Sequence, residues 1–177
     1  MTHCQSPPVD THAESSGTLC KILQQATDQY PRLAAFLLTL PVPELHFHDV
    51  VYQQIRELVI SRRLSGRPVP PTVLRWMWEK KNVPGQACRH LLLMNQDTFC
   101  HPRYDVPADR CSGTMETLLR DAAGAINDVR PHQLPEITVF RMDRTRPVQA
   151  DAQYRRLREC ALSLLPAVTA LSERINP

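Results

Sequence analysis

Sixteen prolines stand against only five glycines in this chain of 177 residues. Each proline removes a backbone N–H and fixes φ, so it ends a helix or stiffens a joint. Scarce glycine leaves few residues at home in a left-handed turn. The chain is thereby cut into short segments, and each segment is read by its apolar period.

Helical spacing recurs in most of them. Ser15 or Ser16 can cap a first helix that carries Leu19, Ile22, Leu23, Ala26 and Tyr30. Pro31 opens a second with Leu33, Phe36, Leu37 and Leu40, which Pro41 and Pro43 stop, so the pair reads as a helical hairpin. Asp49 suits the N-cap of a third, whose apolar face is Val51, Ile55, Leu58 and Val59 and whose C′ residue is Gly66. Pro70 and Pro71 can open a fourth over Thr72 to Lys81, and Asn82, Pro84 and Gly85 break it. A fifth carries Ala87, Cys88, Leu91, Leu92 and Asn95, and residues 96–112 read as a loop. From Ser112 or Thr114, Met115, Leu118, Leu119, Ala122, Ile126 and Val129 form an unbroken stripe that Pro131 and Pro135 close. Glu136 to Met142 is the one β-like run. Tyr154, Leu157, Ala161, Leu164, Val168, Leu171 and Ile175 then fall at heptad spacing, with a kink expected at Pro166.

The expected fold is therefore all-α: a single-domain helical bundle of about six or seven helices with at most one short extended segment near 136–142. Residues 1–14 read as a disordered tail and 15–177 as the helical domain, with 149–177 its heptad-patterned last helix.

Charge is uneven. The net is +3, yet residues 1–50 carry an excess of three negative charges and residues 91–177 balance. Residues 51–90 hold Arg56, Arg62, Arg63, Arg67, Arg75, Lys80, Lys81 and Arg89 against Glu57 and Glu79, together with both tryptophans, Trp76 and Trp78. Basic side chains neutralise phosphates and tryptophan stacks on unpaired bases. The leading expectation is thus a non-enzymatic protein that contacts nucleic acid, or a nucleoprotein assembly, through 56–90. On a helix the two tryptophans would project about 200° apart, so the expectation rests on the basic residues. The alternative is a protein-interaction subunit (an adaptor, secreted effector or oligomerising regulator) that uses the 149–177 helix.

Enzyme signatures are thin. His46, His48 and Asp49 contain the His-Asp pair that ligates metal in helical phosphohydrolases, but without the flanking pattern. Cys88, His90, Cys100, His101 and Cys111 are metal-ligand types that match no zinc spacing. Nucleotide-cradling glycine loops and GxSxG are missing. No cofactor and no metal are expected. The polar start without an apolar signal core, and the lack of a membrane-length apolar run, lead to an expectation of reduced thiols and a cytoplasmic location.

Overall fold

The computed structural model describes residues 16–40, 45–79, 87–103, 105, 108–127, 135–164 and 168–175. The expected 1–14 tail, Lys80, Lys81 and Pro166 lie outside them, as does the side chain of Cys111.

The expectation of an all-α bundle is overturned. Among the described residues, four helices, α1 (Ser16–Gln29), α2 (Leu45–Leu64), α3 (Ala108–Asn127) and α4 (Pro147–Leu162), surround a five-stranded sheet. The strands are β1 (Arg32–Leu40), β2 (Thr72–Glu79), β3 (Cys88–Asn95), β4 (Ile137–Asp143) and β5 (Val168–Ile175). Their order is β4-β1-β3-β2-β5, and every neighbouring pair is antiparallel.

Three segments read as helices are strands. Residues 33–40 form β1, 72–79 form β2 and 88–95 form β3. The physical reason is burial on both faces. β1 (RLAAFLLTL) and β3 (CRHLLLMN) lie inside the sheet with helices above and below, so Leu33 to Leu38 and Leu91 to Met94 are apolar throughout and the period of two is erased. A continuous apolar run also satisfies a helical template. The β-like run near 136–142 is a strand, but an edge strand of a full sheet. The C-terminal heptad splits: Tyr154, Leu157 and Ala161 belong to α4, while Leu171 and Ile175 belong to β5. Strand β5 pairs with β2 from Thr72↔Ile175 to Glu79↔Val168, so no continuous heptad helix exists to oligomerise.

The two faces build two cores. On one, α2 and α3 cover Phe36, Leu38, Leu74, Trp76, Leu92 and Met94 with Phe47, Val51, Ile55, Met115 and Leu119. On the other, α1 and α4 cover Leu33, Ala35, Met77, Leu91 and Leu93 with Leu19, Leu23, Ala26, Leu157 and Ala161. The helices read correctly, α1, α2 and α3, each bury one stripe only, which preserves the 3.6-residue period. Tyr30 fastens α1 to the sheet by accepting the Val73 N–H at 2.7 Å.

Helix α2 begins at Leu45, so Asp49 lies inside it rather than capping it. Its C-terminus is as expected. The Gly66 N–H donates to Arg63 O at 2.9 Å and the Arg67 N–H to Arg62 O at 3.0 Å, a Schellman closure with Gly66 at φ +71°. An added Cβ would meet nothing within 4 Å, so only the left-handed backbone opposes it. Gly66→Ala is expected to cost about 1 kcal/mol, read as a lower urea midpoint at unchanged m-value.

Candidate functional site on helix α2

Strand geometry rearranges the aromatic pair. Trp76 and Trp78 are two residues apart on β2, so they share a face instead of diverging. Trp76 is buried and Trp78 half-buried beneath the N-terminal part of α2. The His48 ring lies between them, 4.7 Å from Trp76 and 4.5 Å from Trp78 by centroids. His90, on β3 opposite Trp78, lies 5.8 Å from His48 and nearly parallel to Trp78, at 13° between planes. Phe47 packs edge-on against Trp76 and His90.

Both imidazoles are 3 % exposed or less. Among the described residues, none of their four nitrogens, nor Trp76 Nε1, has a hydrogen-bond partner. Burial pushes the His48 imidazole down to about 4, with nearby Asp49 opposing. Burial, and then repulsion from His48, push His90 down to about 3. Both rings are therefore neutral at pH 7 and pack as aromatic discs. They anchor α2 to the sheet.

The basic residues do not converge. Arg62 turns inward: its Nη1 donates to Phe99 O and Asp105 Oδ1 at 3.0 Å each, and its Nη2 to Asp105 Oδ2 at 2.7 Å. Arg67 also reaches Asp105 Oδ1, at 2.6 Å, with a side chain 47 % exposed. These donors, Arg62 first, hold the Asp105 carboxyl below the usual carboxylate range. Arg75 is buried on the opposite face of the sheet, donating to Gln29 and lying over the Tyr30 ring. Arg89 is held by Glu79 and donates to Ser163 O at the end of α4. The Glu79 hydrogen bond raises the Arg89 guanidinium above its ordinary value.

That leaves Arg56, Arg63 and Arg67 at the surface among the described members of the predicted set. Arg56 and Arg63 fall at i, i+7 on one flank of α2, about a quarter-turn from the buried Val51, Ile55 and Val59, while Arg67 follows the left-handed closure at Gly66 and pairs with Asp105. Beside Arg56 and Arg63, further round the exposed face of α2, stand Ile60, 50 % exposed, and Leu64, 84 % exposed. A shallow depression of about 370 Å³ runs along Glu57, Ile60, Ser61, Leu64 and Ser65. Sequence reasoning missed the apolar pair because it counted Arg56 to Arg67 as charge alone. The pair was visible as Ile60 and Leu64 at i, i+4, off the register of the core-facing stripe.

A family model matches residues 10–130, more than half of the chain. The chain belongs to the family described as Uncharacterised conserved protein UCP030791. The match runs through α1 to α3, so this family segment includes the α2 stripe and the His48–Trp76–Trp78–His90 anchor. No curated protein and no solved structure matches.

The candidate metal cluster is dispersed. Cys88 and His90 lie on β3, Cys100 is disulfide-bonded, and the His101 N–H donates to Asp105 Oδ2 at 2.6 Å. Among the described residues, no group of three or more His, Cys, Asp or Glu is placed to hold a metal ion. Nor is any described helix long and apolar enough to cross a membrane.

Proposed function

We propose that the protein is a non-enzymatic interaction protein that docks an acidic, amphipathic segment of a partner protein on α2. The observation that carries this reading is the exposure of Ile60 and Leu64 on α2, beside Arg56 and Arg63. Apolar side chains at the centre of a contact, with arginine around them, make the pattern of a protein interface. The stripe's arginines outnumber Glu57, so carboxylates on the partner complement it.

Nucleic acid is the competing occupant, because exposed arginines on one flank of α2 also suit phosphates. Ile60 and Leu64 weigh against it: a phosphate backbone leaves them without an apolar counterpart. The internal ties of Arg62, Arg67, Arg75 and Arg89 engage four of the six described residues of the predicted basic segment. Cytoplasmic residence belongs to the same proposal. The free thiols of Cys20, Cys88 and Cys160 support it, and the Cys100 disulfide is the feature a reducing compartment would open.

Fluorescence anisotropy with a synthetic helical peptide tests the proposal. The peptide carries leucines at i and i+4 flanked by glutamates, and single-stranded DNA is the rival probe. The wild-type chain is expected to bind the peptide more tightly than the DNA. Leu64→Glu is expected to weaken peptide binding by at least tenfold, or about 1.4 kcal/mol. Tighter binding to DNA, unchanged by Leu64→Glu, would hand the surface to nucleic acid.

A further inference from the structure

A cavity of about 380 Å³ opens at the far edge of the sheet, where β4 ends and α4 begins. Its size lies within the range of small-molecule pockets. Three guanidiniums line it: Arg32 from β1, Arg141 from β4 and Arg146 from the turn before α4. Gln96, Gln149 and Gln153 add three carboxamides. Arg146 is the N-cap of α4 but makes no side-chain capping bond, and Pro147 follows it. The N-cap side chain therefore leaves the first turn of α4 uncapped, and the positive end of the helix lies at this region.

Two carboxylates offset part of this charge: Asp97, paired with Arg32, and Asp143, which itself lines the cavity. Asp97 takes Arg32 Nε and Nη2 at 2.6 Å each, which fixes that guanidinium in place. Asp143 Oδ1 accepts from the Thr145 N–H at 2.9 Å and the Thr145 hydroxyl at 2.6 Å. These bonds, with the charges of Arg32 and Arg146, hold the Asp143 carboxyl low against its burial. Gln96 is 7 % exposed as a residue, and its side chain lines the cavity.

From this donor-rich, uncapped cavity we infer a binding site for a small molecule bearing an oxyanion, a carboxylate or a phosphate. The arginines and the α4 terminus receive the charged group, and the glutamines read the polar remainder. The site lies at the β4 edge, beyond β1 from α2, and stands whether or not the α2 stripe docks a partner.

Isothermal titration of the full chain with inorganic phosphate and, separately, with succinate tests the site. At least one probe is expected to bind with a millimolar or tighter Kd. Arg146→Gln is expected to weaken it tenfold or more. Arg146 is exposed, so the variant should fold, with circular dichroism as the check. Gln96→Leu is expected to lower affinity while leaving the arginines intact. Phosphate binding identifies a phosphate-bearing ligand and succinate binding a carboxylate-bearing one. Binding of neither probe, or binding that both variants leave unchanged, overturns the site.

Discussion

Replacing Asp105 with alanine is expected to cost about 3–5 kcal/mol of folding stability, the usual penalty for orphaning a buried charge. Asp105 and Arg62 are 5 % and 7 % exposed at their side chains, and the carboxylate takes both Nη atoms of the guanidinium. Without it, Arg62 retains only Phe99 O, and its Nε already has no partner. Arg67 loses the same acceptor but can turn to water. The loss should therefore track Arg62. Arg62→Met combined with Asp105→Ala is expected to recover a large part of it, because the buried charge is gone. Urea unfolding of the two variants decides the point. A double variant no more stable than Asp105→Ala alone would assign the loss to the 101–105 loop, where Asp105 also accepts the His101 N–H.

Acid is expected to unfold the protein in two windows, the first set by His48 and His90. Their folded values, about 4 and about 3, lie below the ordinary 6.5 of an exposed imidazole. The unfolded chain therefore takes up protons first as pH falls. The stability they contribute is complete above about pH 6.5 and drains away as pH drops toward the folded values. At about pH 5 the two together should cost on the order of 3 kcal/mol relative to pH 7. The second window lies lower, where Asp105 and Asp143, held below their ordinary range, are protonated and release their partners. Thermal melts of His90→Leu between pH 7 and 5 separate the two. The variant should lose about half of the upper fall while keeping the lower one. An undiminished upper fall would remove the imidazoles as its cause.

The helices α1, α2 and α3 were legible because each buries one face. Leu19, Leu23 and Ala26, or Val51, Ile55 and Val59, reach the core while residues between them meet solvent. Gly66 was legible because a left-handed closure admits few residues. Strands β1 and β3 were not, since Leu33 to Leu38 and Leu91 to Met94 are apolar on both sides of the sheet and carry no alternation. Misreading β2 as a helix also separated Trp76 from Trp78 and concealed their cage around His48. The charge excess of 51–90 was real as a count, but its meaning depended on partners far along the chain. Arg62 meets Asp105 43 residues away, and Arg75 meets Gln29 46 residues away. Such pairings leave no local pattern. The cavity was hidden for the same reason, being assembled from β1, β4, α4 and the turn after β3.

The salt dependence of peptide binding to α2 tests the central claim most directly. A contact with Ile60 and Leu64 at its centre and arginines at its rim should weaken only modestly as salt rises, because apolar burial persists when charges are screened. The acidic amphipathic peptide should thus still bind at about 0.5 M salt, and Leu64→Glu should abolish that residual binding. Binding that disappears with salt as steeply as to single-stranded DNA, and does not respond to Leu64→Glu, would contradict the account.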